Sequence, residues 1–215
     1  MTDREYQPDV MVIDHPLAQD ALTRMRNPAS SPPLFRSAAR QISRLLAVYS
    51  TTLLPVTEEN VTTPTGESAS GGRVGSRVVL VPILRAGLGM VEGFLDILPN
   101  AEIGFLGLAR DEETLEPTEY YRKFPDNLED TSIFVLDPML ATGGSICAGL
   151  ASLGEVNPKQ ISVVSIISAP EGITTLHQSF PEVRVVTAAV DEKLDGRGFI
   201  LPGLGDAGDR LWGTM

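Results

Sequence analysis

Ile133-Phe134-Val135-Leu136-Asp137-Pro138-Met139-Leu140-Ala141-Thr142-Gly143-Gly144-Ser145 contains three structural instructions in one run. Ile133–Leu136 is apolar without interruption, as a strand covered on both faces must be. Thr142–Ser145 is a polar, glycine-paired turn. Ile146, Leu150 and Leu153 then recur at helical spacing. A strand, a short loop and a helix in that order form half of a parallel β–α–β unit. Two glycines let backbone approach a ligand closely. The first turn of the new helix offers unpaired N–H groups and the positive end of its dipole, and the Thr142 and Ser145 hydroxyls add donors. The turn therefore reads as an anion cradle. It is not a P-loop, because no lysine stands between Gly144 and Ser145.

Asp137 cannot bind phosphate, since both are anions. A carboxylate there suits sugar hydroxyls or a hydrated metal. Phosphate donors beside a hydroxyl acceptor point to a ribose 5-phosphate. The same residues could also be a plain strand-to-helix connection with an N-cap. The functional reading requires the turn to face a concave surface with its amides unengaged.

Outward from this segment the pattern repeats. Val78–Val81, Ile103–Leu108, Ile161–Ile167 and Val183–Val190 read as strands. Met90, Val91, Phe94, Leu95 and Leu98 form a helical stripe, and a short helix is expected near Gly172–His177. Apolar strands alternating with helices predict an α/β fold with a central, mostly parallel sheet and helices on both faces. Ligands in such folds bind beyond the carboxyl ends of the strands. Toward the N-terminus, Leu17, Ala18, Ala21, Leu22 and Met25, then Phe35, Ala38, Ala39, Ile42, Leu45, Leu46 and Tyr49, mark two amphipathic helices. Thr65–Ser76 is rich in glycine and serine and reads as a loop or loose hairpin turn, and Arg110–Asp130 as a charged connection. Residues 1–215 are expected to form a single domain, with a helical arm at 1–55 and a C-terminal hood at 191–215.

Composition narrows the function. A net charge of −11 argues against nucleic acid as a partner. Cys147 is the sole cysteine, so an internal disulfide is excluded. His15 and His177 stand far apart with no cysteine cluster, which argues against zinc. The charged start and the lack of a long apolar run predict a cytoplasmic protein with no membrane association. Gly203-Leu204-Gly205-Asp206-Ala207-Gly208 spells a dinucleotide fingerprint, but the chain ends a few residues later, without room for the required β–α–β unit. Pro202 and three glycines predict an irregular loop instead.

Asp137–Ser145 resembles the phosphoribosyl-diphosphate (PRPP) loop of the type I phosphoribosyltransferases. Its form, with Pro138 where most relatives carry a second acidic residue, is similar to the uracil branch. Three further segments share the likeness: Val81–Met90 the diphosphate-side loop, Arg110–Pro117 with Tyr120-Tyr121 the flexible arm, and Gly198–Arg210 the uracil-binding hood. His15-Pro16-Leu17 and Ala169-Pro170-Glu171-Gly172 also fit, and Phe199 departs from a tyrosine common in the family. The resemblance covers essentially the whole chain, in order.

It implies transfer of a phosphoribosyl group from PRPP to uracil, giving UMP and diphosphate. PRPP would be bound by Arg85, Arg110, Asp137, Pro138, Met139, Leu140, Ala141, Thr142, Gly143, Gly144, Ser145 and Asp206. Uracil would be bound by Ile200, Gly205, Asp206 and Ala207. Asp137, Arg85 and Asp206 are the implied catalytic residues. Mg²⁺ is the implied cofactor, held through PRPP and water rather than by protein ligands. A homodimer or larger homo-oligomer is expected by family analogy. GTP is a candidate effector because some relatives respond to it, although no stretch of this sequence marks its site. Two alternatives stay open: a phosphoribosyltransferase for another base, and a regulator that senses a nucleotide without turnover.

Overall fold

The computed structural model describes residues 9–110, 117–154 and 158–214. In chain order the elements are β1 (Val10–Val12), α1 (Pro16–Arg26), α2 (Pro32–Thr51), β2 (Val56–Thr62), β3 (Ser68–Val74), β4 (Val78–Leu84), α3 (Leu88–Leu95), β5 (Glu102–Ile103), β6 (Phe105–Arg110) and β7 (Pro117–Lys123). They continue with β8 (Ser132–Leu136), β9 (Met139–Leu140), α4 (Gly144–Ser152), β10 (Gln160–Ser168), α5 (Pro170–Ser179), β11 (Arg184–Val190), β12 (Lys193–Leu194), β13 (Ile200–Leu201) and α6 (Ala207–Trp212).

The main sheet runs β1-β11-β10-β8-β4-β6-β7, with β5 joined to β4 and β9 to β10. Its pairings are parallel except for β7, which lies antiparallel on β6. Because side chains alternate along a strand, each central strand feeds two cores. Leu80, Phe134, Val164 and Val186 face α1, α2, α3 and α6. Val79, Val135, Val163 and Val185 face α4 and α5. This two-sided burial is why these strands read as continuous apolar runs. It also confirms the mostly parallel α/β architecture.

Strand order places the ligand crevice. From β4 the chain departs through α3, on one face, toward β6. From neighbouring β8 it departs through α4, on the other face, toward β10. The carboxyl ends of β4 and β8 therefore flank a topological switch point, where connections diverge and leave an open cleft.

Several elements differ from the sequence expectation. Within 1–55 the chain is not wholly helical, since Val10–Val12 adds a parallel edge strand to β11. Residues 65–76 are mostly strand: β3 pairs with β2 from Val56↔Val74 to Thr62↔Ser68. Neither strand buries a face, so neither needs the apolar alternation that would have revealed it. The charged stretch after Arg110 contains β7, an edge strand that charged residues suit. The stretch after Gly205 is helical rather than irregular. Asp206 caps α6 by accepting from the Asp209 N–H (2.9 Å), and Gly213, at φ 72°, closes its far end. Among the described residues no helix is long and apolar enough to cross a membrane.

Candidate active site

At the carboxyl end of β8 the chain leaves the sheet at Asp137 and rejoins it for two residues. Asp137 N–H donates to the Val164 carbonyl (3.2 Å), and the Pro138 carbonyl accepts from Ile166 and Ile167 (3.0 and 3.1 Å). β9 then pairs beside the end of β10, which buries the Leu140 side chain and carries Ala141 to the mouth of the cleft. The turn that follows depends on Gly143, whose φ of 85° disfavours any residue with a Cβ. Its left-handed conformation reverses the chain into α4.

The backbone donors of this turn are largely unengaged. Among the described residues, the N–H groups of Thr142, Gly143, Ser145 and Ile146 have no protein acceptor. The Gly144 N–H reaches only its neighbour's hydroxyl, Thr142 Oγ1, at 3.4 Å. Backbone donors left unpaired in a structured turn require water or a ligand. The turn meets the requirement set by its sequence: it faces a cleft, and its amides are available.

That cleft encloses about 280 Å³. The β8–α4 loop forms one wall. The strap Arg197-Gly198-Phe199 and the start of α6, Asp206-Ala207-Gly208, form the others, with Ala86 contributing from the β4 loop. The strap is pinned by Asp195, whose carboxylate accepts from the N–H groups of Arg197 (2.8 Å) and Phe199 (2.9 Å). Those bonds, Phe199's first, hold the Asp195 carboxyl below its usual range. The Arg197 guanidinium stacks 5.3 Å over the Phe199 ring. Among the described residues it is the one cation that lines the cleft.

Two carboxylates share this space. Asp137 is half-buried at the cleft floor, and loss of hydration pushes its carboxyl up to about 7. An N–H donated by Met139 (3.3 Å) opposes the rise, and repulsion from Asp206 adds to it. An acid held in this state gains from any cation or hydroxyl donor that enters. Arg85 stands beside the cleft at the end of β4, exposed, 3.9 Å from Asp209. Its loop is tight: a Cβ on Gly87 would lie 2.3 Å from the Leu136 carbonyl oxygen, so only glycine lets β4 and β8 meet there. The Leu84–Arg85 and Leu201–Pro202 peptides are cis.

The sequence model described as "Uracil phosphoribosyltransferase" matches residues 12–214. The chain belongs to this family. A uracil phosphoribosyltransferase of Dictyoglomus thermophilum is 49% identical over 205 residues, spanning 95% of this chain and 99% of the relative. One from Ureaplasma urealyticum is 44% identical over 203 residues, spanning 94% and 98%. A solved protein from Aquifex aeolicus superposes with a TM-score of 0.88 at 37% identity, covering 94% of this chain and 97% of that one. The adenine phosphoribosyltransferase of Leishmania donovani shares the fold, with a TM-score of 0.58 at 12% identity over 87% and 86% of the two chains.

The residues expected from the uracil phosphoribosyltransferase likeness divide four ways. Asp137, Met139, Leu140, Ala141, Thr142, Gly143, Ser145, Asp206 and Ala207 line one cleft, Leu140 with its side chain turned into the core. Arg85, Gly144 and Gly205 flank it. Pro138 and Ile200 are buried and do not line it. Arg110 ends β6, but its side chain and residues 111–116 of the arm lie outside the described residues. On β7, Arg122 donates to the Ser152 carbonyl (3.1 Å). Sequence reasoning missed Ala86, Ile146, Arg197, Gly198, Phe199 and Gly208 as lining residues. Arg197 gave no local signal: one arginine in a charged, glycine-containing turn reads as solvated surface.

Proposed function

We propose that this chain transfers the 5-phosphoribosyl group of PRPP to N1 of uracil, releasing UMP and diphosphate. The observation that carries the reading is the set of unengaged amides of Thr142, Gly143, Ser145 and Ile146, in the cleft that Asp137 and Asp206 also line at the sheet's switch point. These amides, with the Thr142 and Ser145 hydroxyls, take the 5-phosphate. Asp137 accepts from the ribose hydroxyls. Arg85, with Arg110, neutralises the departing diphosphate; arginine's fixed fork matches phosphate oxygens and does not lose its charge. The Gly205–Ala207 backbone reads the alternating carbonyl and N–H edge of uracil, and Asp206 faces the donor. Catalysis then consists of positioning and charge stabilisation around an oxocarbenium-like anomeric carbon, without a covalent enzyme intermediate.

Mg²⁺ fits this donor set as a passenger of the substrate. Among the described residues no cluster of three or more His, Cys, Asp or Glu could hold a metal. Asp137 and Asp206 line the same cleft, and the charge of Asp206 raises the Asp137 carboxyl, so a cation carried in by the substrate would be favoured there. When bound, it would supply positive charge to the diphosphate oxygens. A homodimer or larger assembly belongs to the same reading, and the apolar residues exposed on the β2–β3 hairpin, Val56, Val61 and Val74, support it.

Conversion of labelled uracil to UMP, in the presence of PRPP and Mg²⁺ and against a panel of other bases, tests the assignment. A preference for a purine or for orotate would overturn it. Arg197→Ala is expected to raise KM for PRPP about tenfold, the size of one lost charge-assisted hydrogen bond, with KM for uracil unchanged. Unaltered steady-state kinetics in that variant would place Arg197 outside the donor site.

A further inference from the structure

We propose that Arg26, Asp191 and Arg210 are positioning residues for uracil, holding the base-reading loop in register from the N-terminal helices; this rests on the loop assignment above. Both polar backbone groups of Gly203 are gripped by one ion pair. Its N–H donates to Asp191 Oδ2 (2.8 Å), and its carbonyl accepts from the Arg26 guanidinium (2.8 Å). Arg26 meets Asp191 through two parallel bonds of 2.8 and 2.6 Å, and Asp191 is 6% exposed. The next residue is held from the other side, where the Leu204 carbonyl accepts from Arg210 (2.7 Å). Arg210 also donates to the carbonyls of Met25 and Asn27, and its guanidinium lies 4.5 Å over the Phe35 ring.

This arrangement costs more than a structural tie requires. Arg210 is 9% exposed with no carboxylate partner among the described residues. Burying charge is expensive, and a buried ion pair seldom adds net stability over an apolar replacement. Residues 203–205 are also the stretch with the greatest freedom to lose, since Gly203 and Gly205 both adopt positive φ. Without a side chain of its own, Gly203 is fixed through its backbone groups, and the ion pair holds both of them. The two positions downstream, Asp206 and Ala207, line the cleft. The set therefore transmits the position of α1 and the α1–α2 corner directly to the backbone that meets the base. It does not touch the PRPP cradle on the opposite wall.

Arg26→Lys keeps the charge but cannot reach both Asp191 oxygens and the Gly203 carbonyl together. It should raise KM for uracil by about tenfold or more, with KM for PRPP within about twofold. Asp191→Asn, nearly isosteric, should do the same and is the variant to read if Arg26→Lys does not fold. Ala207→Val, on the cleft wall itself, is the companion arm. If Ala207→Val leaves KM for uracil unchanged, the loop assignment fails. If Ala207→Val raises it and neither Arg26→Lys nor Asp191→Asn does, or if these raise both KM values together, the positioning role fails.

Discussion

Replacement of Asp137 by Asn is expected to lower kcat about a thousandfold, the upper range for losing one preorganised electrostatic contact, while raising the melting temperature of the ligand-free protein at pH 8. The two effects share a cause. Burial and the facing Asp206 hold the Asp137 carboxyl at about 7 in the folded chain, against an ordinary value of 3.8. Below about pH 4 the carboxyl is protonated in both folded and unfolded states, and it imposes no penalty. As pH rises from about 4 to about 7 the unfolded chain ionises while the fold resists, so folding loses stability. Above pH 7 the penalty is constant. Asparagine carries none of it and can still accept from the Met139 N–H through its side-chain oxygen.

After allowance for solvent at the cleft, the penalty is on the order of 2 kcal/mol, or roughly 5 °C in a chain this long. The expected result is therefore a melting difference near zero at pH 4 that opens to about 5 °C at pH 8. Addition of PRPP with Mg²⁺ should reverse the order, stabilising the wild-type chain more than the variant. A difference independent of pH would show that the carboxyl is not held in this strained state, and near-normal turnover would remove Asp137 from the ribose site.

Asp137 was legible in the sequence because everything that marks it is local. An apolar strand, an acidic residue at its end and a glycine pair before a helical stripe all lie within Ile133–Ile146. What was not legible depends on distance or on exposure. The switch point arises from β4 lying beside β8, and no local pattern encodes that adjacency. Arg26 and Asp191, which together hold Gly203, are 165 residues apart. The β2–β3 hairpin presents mostly exposed residues on both faces, so no apolar alternation announced it. In α6, Gly203 and Gly205 masked a helix start whose signal, Asp206 three residues before Asp209, was present but outweighed. Pro138 and Ile200 were carried over by family likeness; both are buried, and neither is among the residues that line the cleft.

A pair of equal-sized substitutions in the cradle separates backbone conformation from ligand contact. Gly143→Ala places a Cβ where φ is 85° and where the nearest atoms are the Gly172 carbonyl oxygen at 2.9 Å and Thr175 Cβ at 3.1 Å. The left-handed conformation alone costs an L-residue about 1–2 kcal/mol, and the contact with α5 backbone cannot be relieved by rotating a side chain. The turn must therefore shift, and with it the unengaged amides of Thr142, Ser145 and Ile146. Gly144→Ala adds the same methyl one residue later, inside α4, with nothing nearer than Thr142 Oγ1 at 3.7 Å. There alanine favours the helix by up to about 1 kcal/mol. Gly143→Ala should lower the melting temperature by roughly 5 °C and weaken PRPP binding about a hundredfold, the combined loss of two or three charge-assisted hydrogen bonds. Gly144→Ala should melt at or above the wild-type temperature. Calorimetry of both variants, paired with PRPP titration, reads the two effects independently. Equal loss of binding with no change in melting would mean that the glycines make room for the phosphate. Loss confined to Gly143→Ala would mean that the left-handed turn aims the amides.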